Sequence, residues 1–218
     1  MVKKKYHDYV FDVKNKKFVG KFDEMYKAEK SGGFDSWEQD DLNYLDKQIC
    51  MYILREFNSK SILDIGCGKG MITSQIQSTQ NIVVGLDKSK QAISIASNRY
   101  DNIEFVVADI QKTNWINVLK STKLKNKNGS ISCISCLEIL SYISNWRNSI
   151  EQFSKLGEYL LIKIYLPPNP VGFIKSKDEF IEWYGTYYNI INLIDLVSDQ
   201  TIILFGKSKA IGDYNARV

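Results

Sequence analysis

"SILDIGCGKG", residues 61–70, carries an acid, Asp64, inside a short apolar run and then has glycine at every second position: Gly66, Gly68 and Gly70. A buried strand that ends near a carboxylate and then sheds its side chains predicts a nucleotide-like ligand lying against bare backbone. The spacing narrows the ligand. A dinucleotide fingerprint, G-x-G-x-x-G, needs a third glycine to let a helix pack closely beneath a pyrophosphate. That position is Met71 here.

Outward from this loop the chain alternates strand-like and helix-like segments. Strands are expected at 61–66, 81–87, 103–109, 130–137 and 158–166. Helices are expected at 70–78, 88–100, 114–121 and 145–156. The first four strands are short and nearly continuous in apolar character, as strands buried on both faces are. Such alternation implies right-handed crossovers and a parallel sheet covered by helices. After a helix at 177–185, the segments 188–197 and 201–208 are separated by only "SDQ". Three residues cannot carry a parallel crossover, so these two should form an antiparallel hairpin. Upstream, 40–57 reads as a helix with Asp40 or Asp41 as N-cap and Leu42, Leu45, Ile49 and Ile53 on one face. The fold class is therefore α/β, with a Rossmann-like, mostly parallel seven-stranded sheet, helices on both faces and the C-terminal hairpin.

Composition bounds the function classes. The 218 residues are 44% hydrophobic and 25% charged, with a net charge of +4, as in an ordinary soluble globular domain. The lysine-bearing start has no apolar run of a secretory signal, and no segment approaches the ~20 apolar residues of a membrane span. A cytoplasmic protein with no membrane contact is the expectation. Cys50, Cys67, Cys133 and Cys136 suggest reduced thiols rather than a disulfide framework. Cys133 and Cys136 would face opposite sides of one strand, so no metal site is expected there. Lysines at 3–5, 14–17 and 123–129 read as solvated faces, which makes nucleic acid an unexpected partner. Pro167, Pro168 and Pro170 read as a rigid loop forming one wall of the pocket. The aromatic run 180–188 reads as core or as a dimer contact, which leaves a homodimer open.

Asp64 to Gly70 resemble the first motif of the class I S-adenosylmethionine-dependent methyltransferases, and further positions agree with that family. The resemblance implies a cofactor without pyrophosphate, S-adenosyl-L-methionine, released as S-adenosyl-L-homocysteine. Its methionine and ribose parts would pass over Asp64, Gly66, Cys67 and Gly68. Asp87, beside Lys88, would accept from the ribose hydroxyls, and Asp109, beside Ile110, from the adenine amino group. Leu137 would complete the cofactor wall. Glu138, in "SCLEILSYI", is similar to the family's stretch after the fourth strand, and Glu138 and Tyr142 are the candidates for orienting or deprotonating an acceptor. Many relatives have Glu-His where this chain has Ser141-Tyr142, and its one histidine is His7, so a histidine base at that position is excluded.

The motifs imply cofactor and fold and are nearly silent on the acceptor. A loose similarity to small bacterial methyltransferases that N-methylate nodulation-factor sugars points to a small acceptor, a carbohydrate among them. Residues 1–40 are expected to form a helical lid carrying Tyr26 and Trp37, and 41–218 the methyltransferase domain. The competing readings are an RNA or protein methyltransferase, and a Rossmann-like binding module that has lost transfer activity.

Overall fold

The computed structural model describes residues 5–12, 14–15, 17–32, 34–57, 59–124 and 130–211. The chain starts with α1 (His7–Val10), a hairpin of two-residue strands, β1 (Phe11–Asp12) and β2 (Lys17–Phe18), and then α2 (Phe22–Lys30). After α3 (Leu45–Glu56) come β3 (Ser61–Ile65), α4 (Met71–Ile76), β4 (Ile82–Asp87), α5 (Lys90–Arg99) and β5 (Glu104–Val107). The second half runs through β6 (Ile131–Leu137), α6 (Trp146–Leu156), β7 (Gly157–Tyr165), α7 (Lys177–Tyr187), β8 (Tyr188–Leu196) and β9 (Thr201–Ser208).

Seven strands form one sheet in the order β5-β4-β3-β6-β7-β9-β8. β5 to β7 are parallel, whereas β9 runs antiparallel to both β7 and β8. The chain winds outward from β3 to β5, then returns to β6 on the other side of β3. Ligands of open α/β sheets bind above the strand ends at such a reversal, and here both the glycine loop after β3 and Glu138 after β6 meet there.

Each face of the sheet has its own core, as two-sided strands require. Cys136, Trp146, Phe153, Phe180 and Tyr184 are buried on one face with α6 and α7. Cys50, Met51, Leu54, Cys133 and Phe205 are buried on the other, with α3. Cys133 and Cys136 thus point to opposite faces, and both thiols are free and buried. The aromatic run is core: Phe180, Tyr184 and Tyr188 are fully buried, and the Tyr184 hydroxyl donates to the Leu160 carbonyl at 2.7 Å.

Several sequence expectations are corrected. α3 begins at Leu45 with Tyr44 as its N-cap, and no side chain caps it. Asp40 and Asp41 cannot serve, because the Asp40 carboxylate holds Lys69 and Arg99 and Asp41 accepts from the Asn43 amide. Of the face expected to be apolar, Leu42, Ile49 and Ile53 pack against the core around the buried Cys50, Met51 and Leu54, whereas Leu45 is exposed. The short helix expected at 114–121 is present as a 3-10 helix, Trp115–Ser121. The N-terminal segment is not purely helical, since it includes the β1–β2 hairpin. The prolines at 167, 168 and 170 do not line the cleft described below. The expected lysine runs fall partly outside the described residues: Lys3, Lys4, Lys16 and the stretch 125–129.

Candidate active site

The glycine loop has the backbone that its sequence predicts. Gly66 has φ +75°, and a Cβ there would lie 2.2 Å from the Ile139 side chain. Its N–H donates to the Leu86 carbonyl at 2.6 Å, which pins the loop to β4. Gly68, at φ +54°, donates its N–H to Asp87 Oδ2 at 3.0 Å. Asp87 Oδ1 accepts from the Ser89 amide at 2.8 Å. Burial of Asp87 raises its pKa from 3.8 to about 6, and these two backbone donors offset only part of that effect.

Above the loop a cleft of about 1120 Å³, measured out to its open mouth, runs along the strand ends. Asp64, Gly66, Cys67, Asp87, Lys88, Asp109, Ile110, Leu137, Glu138 and Tyr142 all line it. Gly68 does not. It lies beneath Gln39 and Tyr26, where a Cβ would come within 2.1 Å of Gln39 Oε1.

The side chains have sharply different duties. Asp64 is buried, with Oδ1 accepting from the Ser135 hydroxyl at 2.7 Å and Oδ2 from the Thr73 hydroxyl at 2.6 Å. It therefore braces β3 to β6 and α4. Burial raises its pKa despite both hydroxyls. Burial likewise pushes the Cys67 thiol well above its ordinary value, so its sulfur is no nucleophile. Asp109 Oδ1 accepts from the Gln111 amide at 3.1 Å, and Lys88 Nζ lies 3.6 Å from Asp109 Oδ2.

The other end of the cleft is a charged corner. Glu138 has φ +60°, a conformation costly to a side chain with a Cβ and common at functional sites. Its N–H donates to the Lys163 carbonyl at 2.7 Å. Lys163 Nζ, buried on β7, lies 2.8 Å from Glu138 Oε1 and 2.6 Å from Asp46 Oδ2. Burial alone would lower the Lys163 pKa, but the two carboxylates outweigh it and raise it. The Tyr142 hydroxyl accepts from Trp37 Nε1 at 3.0 Å. Burial raises the Tyr142 phenol, so it is a neutral donor and not a ready base.

The N-terminal segment also lines the cleft, through Phe18, Phe22, Tyr26, Trp37 and Gln39, and packs Phe18, Phe22 and Trp37 on the Tyr142 ring. Trp37 and Glu38 both have positive φ. Their carbonyls, with that of Asp41, converge on Lys47 Nζ. Sequence reading missed Lys47, Lys163 and Gln39. A signal existed for Lys163, which is the sole charge in "YLLIKIYL"; a lysine inside a two-sided buried strand needs a partner. Lys47 and Gln39 carry no such mark.

The residues fit S-adenosylmethionine. Gly66 and Cys67 bring the loop to the cleft wall, with bare backbone at Gly66 against which Ile139 packs, and the buried Asp87 carboxylate stands beside the loop with lone pairs to spare. Residues 56–161 match a family model described as a methyltransferase domain. The methyltransferase candidate 235L of Invertebrate iridescent virus 6 is 37% identical over 178 residues, or 78% of this chain and 62% of the viral one. A candidate tRNA methyltransferase of Mycoplasma genitalium G37 is 32% identical over 106 residues, 46% of each chain. This chain thus spans less than two thirds of either relative's length. Among solved structures, the N-methyltransferase NodS from Bradyrhizobium japonicum WM9, in complex with S-adenosylhomocysteine, superposes with a TM-score of 0.63 at 15% identity. That match covers 84% of this chain and 98% of NodS. No helix among the described residues is long and apolar enough to cross a membrane. With the glycine loop, the acids at the strand ends and the matched stretch assembled on one sheet edge, residues 56–161 form a methyltransferase domain of the S-adenosylmethionine-dependent kind.

Proposed function

We propose that the protein methylates a nitrogen or oxygen of a small polar acceptor, a carbohydrate or similar metabolite, bound at the Glu138–Lys163 corner. The observation that carries this reading is the aromatic cluster that Phe18, Phe22 and Trp37 form with Tyr142, their ring centroids 6.0–6.4 Å from its own, in the same cleft as Glu138 and Lys163. An acceptor there would meet aromatic faces and a charged corner within one cleft, which suits a compact polar molecule better than a polymer.

S-adenosylmethionine, when bound, supplies an electrophilic methyl carbon on its sulfonium. The protein's task is then placement of the acceptor's lone pair and exclusion of water. In this reading Gly66 and Cys67 offer backbone to the methionine and ribose parts, while Gly68 holds Asp87 in place from outside the cleft. Asp87 accepts from the ribose hydroxyls, and Asp109 from the adenine amino group, between Ile110 and Leu137. Asp64 and Lys88 act at one remove, as a brace under the loop and as a cation beside Asp109. Glu138 gives Oε1 to Lys163 and keeps Oε2 for the acceptor's N–H or O–H. Tyr142, its oxygen held by Trp37, donates its proton to the acceptor.

The test is release of S-adenosylhomocysteine on incubation with pools of sugars, amines and phenols, beside bulk tRNA. Turnover with a small-molecule pool is the expected result. The mycoplasmal relative supplies a specific reason for the tRNA arm, and turnover with tRNA alone would overturn the small-acceptor reading. Calorimetry should also show S-adenosylhomocysteine binding without NAD binding.

Asp87 predicts opposite pH slopes for stability and binding. Its native pKa of about 6 exceeds the unfolded value near 3.8. The ligand-free protein therefore keeps a proton that the unfolded chain has lost. The stability this group contributes is full below about pH 4 and is lost as pH rises through about 6. Ribose hydroxyls bind the ionised carboxylate, so S-adenosylhomocysteine affinity should instead fall as pH drops through 6. Calorimetry from pH 5 to 8 checks this, and a flat affinity profile would exclude Asp87 as the ribose acceptor.

A further inference from the structure

Lys69 lies between two left-handed glycines of the cofactor loop, yet only 1% of it is exposed. Its ammonium donates to Glu29 Oε1 at 2.5 Å, Asp35 Oδ1 at 2.6 Å and Asp40 Oδ2 at 2.8 Å. Three donors meet three acceptors. Burial alone would lower the Lys69 pKa, but these hydrogen bonds outweigh it and raise it, so the group stays charged. The three acids cluster closely enough to ligate a metal, but the ammonium already occupies their centre.

All three acids belong to the N-terminal segment, the same stretch that walls the cleft with Phe18, Phe22 and Trp37. The Lys69 amide adds a bond to Gln39 Oε1 at 2.8 Å, and Gln39 Nε2 in turn donates to the Tyr26 hydroxyl at 2.9 Å. One residue of the cofactor loop thus gathers α2 and the 35–40 turn onto that loop. Outside this cluster the segment packs Met25 and Tyr26 against Ala92 of α5 and Trp37 against Tyr142, and Asp23 accepts from the Ser89 hydroxyl at 2.6 Å. Lys69 is the point where three of its acids converge on one cation of the loop.

We propose that Lys69 is a positioning residue that latches the N-terminal segment over the bound cofactor and sets how long the cofactor stays. Opening separates the ammonium from all three acids together, so the segment moves as a unit. Removing the cation leaves Glu29, Asp35 and Asp40 with carboxylate oxygens within 4.8 Å of one another and, among the described residues, only Asp40 still in an ion pair, with Arg99. Like-charge repulsion then favours the open state. The cofactor part of this proposal rests on the methyltransferase reading above.

The experiment compares wild type with Lys69→Met and Glu29→Gln. It reads S-adenosylhomocysteine dissociation by stopped-flow fluorescence and deuterium uptake in the ligand-free proteins. Lys69→Met should speed dissociation at least 30-fold and raise exchange in 22–40, with exchange in α6 and β7 unchanged. Glu29→Gln keeps the lysine and two acids, so it should speed dissociation by about three- to tenfold; it carries the test alone if Lys69→Met does not fold. Dissociation within twofold of wild type in Glu29→Gln and in any folded Lys69→Met protein would overturn the latch. So would exchange that rises equally across the whole sheet, which would make Lys69 a residue of global stability. If wild type binds no S-adenosylhomocysteine, the cofactor reading fails, and exchange confined to 22–40 still supports the latch while uniform exchange refutes it.

Discussion

Gly66→Val should abolish measurable S-adenosylhomocysteine binding and lower the melting temperature by about 5–15 °C. The backbone at φ +75° suits glycine, and a residue with a Cβ pays about 1–2 kcal/mol there, a β-branched one more. The new Cβ would also sit 2.2 Å from Ile139 atoms, an overpacking worth about 1–3 kcal/mol. Together these approach 2–5 kcal/mol, which in a chain of this size gives the stated shift. Ile139 lines the cleft, so relief of the clash pushes its side chain into the ligand's space. Calorimetry and thermal melting check both effects. Binding within tenfold of wild type would show that the loop is not the cradle.

Asp87→Ala should weaken S-adenosylhomocysteine binding by about 10- to 150-fold, from the ~1.5–3 kcal/mol of hydrogen bonds to a charged group. The loss has two parts. The ribose hydroxyls lose their acceptor, and the Gly68 and Ser89 amides lose the carboxylate that orders the loop. Asp87→Asn separates them, because its amide oxygen can still serve one backbone donor while offering no charge. Affinity should then fall for Asn by less than for Ala. Unchanged affinity in a folded Asp87→Ala protein would remove the ribose assignment.

The sheet and its cofactor edge were legible because both are written locally. Continuous apolar runs such as 131–137 mark strands covered on two faces, and a two-sided strand has few other places to go. Glycines at alternate positions declare where backbone must bend or be approached, and Asp87 and Asp109 follow from strand ends. The corner around Glu138 was only half legible. Glu138 itself stood out, but its partner Lys163, and Asp46 that shares this lysine, come from a strand and a helix well separated from it in sequence, and only the tertiary fold brings them together. The start of α3 was misread for a related reason. Asp40 looks like a cap in its own neighbourhood, yet Lys69 and Arg99 claim its carboxylate from elsewhere in the fold. Local preference yields where a buried cation needs an anion more than a helix end needs a cap.

The strand order has a consequence for synthesis. β9 lies between β7 and β8, so the strand of the sheet that leaves the ribosome last must fill a slot between two made before it. Until Thr201–Ser208 emerges, β7 offers a bare edge, and β8 pairs with no other described strand. β8 keeps Ile190, Ile191 and Leu193 exposed even in the finished fold. Leu161 and Ile162 on β7, fully buried once the sheet is complete, lie opposite β9 residues in the final register. Unpaired edges beside apolar surface are what aggregation and chaperones both recognise. The sheet is at its most adhesive just before its last described strand, β9, arrives.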